Sequence, residues 1–245
     1  MFISLSTSLC TNVVIFFLAL LPVFLYKTPK HTKTLPGLII VYLINELLQS
    51  IGSQLQLWLF PTLHMNWSGK LLSLLFLLIY ILIFRHRQLA DLKIVPPRLQ
   101  PSQLKTVLLL IGGLLLIKVV PNLFTEGSEY NSLENYLYQA TLPGIVEELA
   151  FRGVYLFLIL QFCPSDPTRP FSFTPDMLFI SLLFSLSHSL SFPDLSAVHF
   201  NPLYFASTFI SACFYMALLR SSRSLIIPMV VHNLVNVGIL IAASL

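Results

Sequence analysis

Two adjacent carboxylates, Glu147 and Glu148, lie with a guanidinium in the otherwise apolar stretch Leu142-Pro-Gly-Ile-Val-Glu-Glu-Leu-Ala-Phe-Arg152-Gly. On a helix, Glu148 and Arg152 stand four residues apart on one face, with the acid on the N-terminal side, the better order for an ion pair. The 3.6-residue period turns Glu147 about 100° away from them. Pairing with Arg152 would keep Glu148 ionised as a structural brace. Glu147 is then left unpaired in low-dielectric surroundings, an arrangement that suits a carboxylate to general-base work. Two carboxylates given unlike roles by unlike surroundings is a recurring catalytic pattern.

Two further polar groups interrupt apolar runs: Phe184-Ser-Leu-Ser-His188, and His232-Asn-Leu-Val-Asn236. His232 and Asn236 are again one turn apart, so both can point into one cavity. A lone histidine on an apolar helix is more often a satisfied hydrogen-bonding residue than a catalyst. Two histidines, an asparagine one turn from the second, and the Glu-Glu-x-x-x-Arg cluster shift that balance. Together they can hold a water beside a base, with donors left over for an oxyanion. The chemistry is hydrolysis of a carbonyl compound.

The elements that must position these groups are membrane helices. Hydrophobic residues make up 56% of the 245 and charged residues only 10%, against about 25% charge in soluble domains. Mean hydropathy is +0.83. About 20 apolar residues cross the hydrocarbon core as a helix. Eight spans are predicted: Leu9–Tyr26, Leu35–Phe60, Leu71–Phe84, Leu104–Phe124, Leu133–Phe162, Met177–Phe192, Pro202–Leu219 and Leu225–Leu245. The runs are continuous rather than alternating, so no strands are expected, and lipid favours segments that satisfy their own backbone. The fold class is therefore all-α, a polytopic membrane protein of about eight transmembrane helices. The whole chain, residues 1–245, reads as one membrane domain, with the motif-bearing core at about 133–245.

The net charge of +4 sits in short loops beside the spans, which points to anionic lipid rather than nucleic acid. Lys27, Lys30, Lys33, Arg85, Arg87, Lys93, Arg98, Arg169, Arg220 and Arg223 fall in odd-numbered loops and Lys105 just after the third, so eleven of the fourteen basic residues lie on one side. The fourth loop is acidic, with Glu126, Glu129 and Glu134. The odd-numbered loops are thus assigned to the cytoplasm and both termini to the opposite side. On this topology His188 lies near the outer end of its span and His232 nearer the inner end. Either the sixth span starts later or the active-site helices are offset. Cys10, Cys163 and Cys213 lack metal-type spacing and an odd count leaves no complete disulfide framework. The first apolar stretch, without a positive n-region or small-residue cleavage site, reads as a span rather than a signal peptide. In the first four spans Glu46, beside Asn45 and Gln49, is the main ionisable exception; packing between helices and a functional role are both open to it. Lys118 can snorkel to the interface.

Glu147-Glu148-x-x-x-Arg152, Phe184-x-x-x-His188 and His232-x-x-x-Asn236, in that order and each on its own span, resemble the CPBP family. These are the CAAX-prenyl-endopeptidase and bacteriocin-processing membrane proteases, also called Abi proteins. The motif-bearing region runs from about Leu137 to Gly238. The resemblance implies an eight-helix bundle with its active site inside the membrane, where Glu147 and His188 activate a water. His232 and Asn236 then orient it or stabilise the oxyanion, and Glu148 and Arg152 brace the site. It leaves metal dependence open: no cofactor is assigned, and Glu147, His188 and His232 form the set that would hold zinc with one open position.

The implied function is an intramembrane endopeptidase in a cell membrane, acting on a peptide or prenylated protein presented by lipid. The competing readings are a family relative without turnover, acting in membrane regulation or immunity, and a proton-coupled transporter. A transporter would more naturally show internal repeats and broken helices in both halves, whereas polar residues here concentrate in the C-terminal half.

Overall fold

The computed structural model describes residues 2–26, 32–97, 99–124, 132–166, 169–193 and 197–245. Of the charged loop residues used to orient the chain, Lys27, Lys30, Arg98, Glu126 and Glu129 lie outside these. The helices are α1 (Phe2–Tyr26), α2 (Leu35–Leu59), α3 (Trp67–Tyr80), α4 (Pro101–Lys118) and α5 (Leu133–Glu148). A π-helical turn, Leu149–Tyr155, joins α5 to α6 (Leu156–Phe162). Then follow α7 (Pro175–Ser189), α8 (Pro202–Ser222) and α9 (Ile226–Ala243). The chain is an all-α polytopic membrane protein. The one departure is a pair of two-residue antiparallel strands, β1 (Leu190–Ser191) and β2 (His199–Phe200). They fold back between α7 and α8, a segment too short for any alternating pattern to register in the sequence.

Six helical stretches among the described residues are long and apolar enough to cross a membrane: Leu5–Leu25, Thr32–Leu59, Trp67–Gln88, Pro101–Phe124, Pro202–Ser222 and Ile226–Ala243. The two other predicted spans form as helices but are atypical. The α5–α6 run is continuous yet loaded with polar side chains, and α7 has only 15 residues. Lipid-facing side chains such as Leu25, Trp58 and Leu203 are more than four-fifths exposed on the isolated chain, as expected where the bilayer is the solvent.

Two features of the packing fix the site. First, α2 and α3 cross at Gly52 and Gly69, where a Cβ on Gly52 would come within 2.6 Å of the Gly69 Cα. Without side chains the backbones approach directly, as small residues allow in membrane bundles. The Asn66 side chain caps α3 by accepting from Gly69 N at 3.0 Å. Glu134, on the first turn of α5, accepts from His64 N, Met65 N and Trp67 Nε1. The α2–α3 connection is thereby tied to the start of the helix that carries the glutamates.

Second, Pro143 lies inside α5, where a ring without an N–H disrupts the helical ladder. The neighbouring Gly144 N donates instead to Asn233 Oδ1 of α9 at 2.7 Å, and Asn233 Nδ2 donates to Thr141 O at 2.9 Å. A Cβ on Gly144 would sit 2.6 Å from Met229 O and 2.5 Å from Asn233 Oδ1. The glycine and the asparagine lock α5 to α9 at backbone contact, one turn before Glu147 and Glu148. The π-helical turn then follows directly; such bulges recur at functional sites because they re-aim side chains.

Candidate active site

Glu148 and Arg152 form the predicted pair. Both side chains are fully buried, with Arg152 Nη1 donating to Glu148 Oε1 at 3.1 Å. The guanidinium lies over the Phe184 ring at 4.4 Å and faces Tyr215 at 5.6 Å, so aromatic faces from α7 and α8 hold it. Glu148 has a second partner that spacing alone did not disclose: His232 Nδ1 stands 2.9 Å from the same Oε1. The His232 ring stacks on Tyr215, with centroids 5.0 Å apart. The brace is thus a chain from Arg152 through Glu148 to His232, and it sets the imidazole's angle.

Glu147 is not unpaired, contrary to the sequence expectation. Lys70, on the second turn of α3, donates from Nζ to Glu147 Oε1 at 2.7 Å. Both side chains are about one-eighth exposed. The pair forms where α3 packs on α5, held there by Trp67 donating to Glu134 and packing edge-on against Tyr138 at 5.3 Å, while the Gly52–Gly69 crossing seats α3 on α2. Lys70 precedes the glutamate by 77 positions and stands one residue before the predicted third span, and the sequence reading did not single it out.

The other carboxylate oxygen faces both histidines. Glu147 Oε2 is 3.8 Å from His188 Nε2 and 3.8 Å from His232 Nε2. Partners identify the tautomers. His188 Nδ1 lies 2.7 Å from Phe184 O, a group that can only accept, so Nδ1 carries the hydrogen and the neutral ring presents Nε2 as an acceptor. His232, facing the Glu148 carboxylate through Nδ1, does the same. Three acceptor atoms from α5, α7 and α9 therefore converge on one point. His188, in the last turn of α7, and His232, in the second turn of α9, stand at different positions along their helices and both reach Glu147.

Asn236 lines the same cavity as Glu147, His188 and His232, and its Nδ2 donates to Gln139 Oε1 at 2.9 Å. That cavity, about 830 Å³, lies between α4, α5, α8 and α9 and combines polar groups such as Asn122 and Tyr204 with apolar walls such as Ile117, Ile210 and Leu240. Asn233, three residues before Asn236, is a structural tie to α5; within the His-Asn-Leu-Val-Asn run nothing but the packing distinguishes the two asparagines.

The zinc set weighed from the sequence fits a metal ion poorly. The 3.8 Å separations exceed the roughly 3.3 Å between ligands of a tetrahedral zinc site with bonds of ~2.0–2.1 Å. An ammonium already holds the carboxylate's other oxygen. Among the described residues no group of three His, Cys, Asp or Glu side chains stands in a metal-holding arrangement. The chemistry below therefore runs through the chain's own groups.

Residues 130–238 match the family model described as Type II CAAX prenyl endopeptidase Rce1-like. No curated protein and no solved structure matches the chain. The matched region contains every residue of the three motifs, whereas Lys70 and Glu46 precede it. Over residues 130–238, the part of the chain that bears all three motifs, this protein is similar to the Rce1-like type II CAAX prenyl endopeptidases.

Proposed function

We propose that this protein is an intramembrane endopeptidase that hydrolyses a peptide bond of a membrane-associated substrate, prenylated proteins included, with a water activated by Glu147 and His188. The observation that carries the reading is the convergence of Glu147 Oε2, His188 Nε2 and His232 Nε2 at 3.8 Å. That separation is too long for direct hydrogen bonds and suits a bridging water.

A water brings two hydrogens to three acceptors. Glu147 takes one as the general base while the water oxygen bonds to the scissile carbonyl carbon, and the carbonyl π electrons move to oxygen. The second water hydrogen stays on the new hydroxyl, donating to the His188 Nε2 acceptor that takes it on collapse to leave a carboxylate product, and the Asn236 amide lines the same cavity as the oxyanion. Collapse re-forms the carbonyl, breaks the C–N bond, and passes the Glu147 proton to the departing amine. Lys70 keeps Glu147 oriented with Oε2 towards the reaction. The apolar walls of the larger cavity accommodate the aliphatic part of a lipid-anchored substrate.

The test is cleavage of a fluorogenic prenylated-peptide library by detergent-purified protein, with and without a strong chelator. Cleavage that is lost in Glu147→Gln, His188→Ala and His232→Ala but indifferent to the chelator is the expected result. Loss on chelation would move the water to a metal. Full function of all three folded variants in the host would replace the protease by a non-catalytic relative.

A further inference from the structure

Behind Glu147, on the side away from the larger cavity, lies a second cavity of about 440 Å³, lined by hydroxyl and amide side chains of α1 and α2. Ser8, Thr11, Asn12, Gln49, Ser50 and Ser53 face it. Its rim is drawn mainly from residues near element ends: Leu5 in the first turn of α1, Gln54 in the C-terminal part of α2, the α3 cap Asn66, and Phe192–Pro193 after α7. It therefore opens at one end of the bundle. Between it and the active site is a small cavity of about 140 Å³ bounded by Glu46, Gln49, Lys70, Glu147, Ser187 and His188. Glu46, Gln49 and Ser187 belong to both walls. Glu147 and His188 are shared with the larger cavity in turn. The three spaces stand in series.

We propose that the α1–α2 cavity is a water vestibule that supplies the hydrolytic water to Glu147 from the side opposite the substrate, through a neck formed by Glu46 and Gln49. Its consequence for turnover rests on the protease reading; its filling and connectivity do not. Polar side chains inside a membrane bundle carry a desolvation cost unless they are hydrogen-bonded or wet. Those facing this cavity meet part of their hydrogen-bonding capacity within the bundle, Ser8 Oγ with Ser50 Oγ at 2.8 Å, Thr11 Oγ1 donating to Thr7 O at 2.8 Å and Asn12 Nδ2 to Ser8 O at 3.0 Å, and their remaining lone pairs face the open space. Apolar cavities stay dry, whereas roomy ones with several polar partners hold water. Glu46 is held at the neck by Asn45 Nδ2 and Gln49 Nε2, each 3.2 Å from Oε1, which answers the question its burial in α2 raised. A hydrolase in lipid needs such a route, because a bound substrate fills the front cavity and closes water off from that side.

The experiment is thiol labelling in a Cys10→Ser background, in which the remaining Cys163 and Cys213 are buried. A small, charged methanethiosulfonate reacts only where water ionises the thiol. Ser53→Cys at the rim and Gln49→Cys at the neck are expected to label, while lipid-facing Leu57→Cys is not. Adding Ser50→Trp, which fills the vestibule, should slow Gln49→Cys labelling about tenfold. In the protease assay, Ser50→Trp alone should lower kcat about tenfold with KM little changed, because it restricts water rather than substrate. Absence of rim and neck labelling would mean that lipid fills the cavity. Labelling at the neck that Ser50→Trp leaves unchanged would mean that the spaces are not in series. Either result overturns the proposal, even if the protein proves to have no protease activity.

Discussion

Lys70 and Glu147 meet end to end at 2.7 Å across the α3–α5 interface, while the second oxygen of the same carboxylate faces His188 and His232 at 3.8 Å. One carboxylate is thus divided between a fixed ion pair and a face turned to the two imidazoles. The fixed half comes from a helix outside the family-matched region.

Replacing Lys70 by Met leaves a largely buried carboxylate without its partner. Breaking a buried pair costs about 3–5 kcal/mol, which is shared here between stability and activity. The expected outcome is a loss of kcat/KM of about 10²-fold, measured alongside Tm in detergent. Gly52→Ala should reproduce part of the loss, because its Cβ meets the Gly69 backbone and pushes α3 away. If Gly52 acts through Lys70, the double variant is little worse than Lys70→Met alone; effects that multiply would assign the crossing another purpose.

The contact between Gly144 and Asn233 predicts a graded pair of defects. Asn233→Ala leaves Gly144 N without its acceptor and should cost roughly 1–3 kcal/mol of stability, with activity reduced in proportion to folded protein. Gly144→Ala must separate α5 from α9, since backbone as well as side chain blocks its Cβ. It should reduce activity more than it reduces Tm, because His232 moves away from Glu147 and Glu148. Equal activity in the two variants would show that α5–α9 spacing does not govern the site.

Arg152→Lys retains the charge but not the planar fork or its stacking on Phe184 and Tyr215. An ammonium cannot reproduce that geometry. The variant is expected to lose about 1–3 kcal/mol of stability and about tenfold in kcat at similar KM, since the altered Glu148 no longer fixes His232. Wild-type kcat in a folded Arg152→Lys protein would limit the brace to stability alone.

Much of the fold was legible because membrane helices announce themselves by long apolar runs. All eight predicted spans form helices at about the predicted positions, and Glu148–Arg152 follows from one-turn spacing within a single helix. What spacing could not carry was contact between distant segments. Lys70 is placed by the packing of α3 on α5, and nothing local to it marks the residue as different from a helix-end base. The same holds for Asn233 against Asn236, and for His232 reaching Glu148 rather than Glu147 through Nδ1. Length and hydropathy also rank α5 and α7 low as spans, because the helices that bear the site carry its polar residues or are short.

The order of the helices along the chain has a consequence for biosynthesis. During synthesis α3 enters the membrane before α5, so the Lys70 ammonium is already present when the Glu147 carboxylate arrives, and Arg152 follows Glu148 within the same helix. Each acid can thus be neutralised as it leaves the insertion machinery, lowering the penalty of a bare charge in lipid. His232, however, lies on α9, which follows α3 and α5 in the chain. The order of synthesis thus makes a partner available to each acid before the second imidazole arrives with α9.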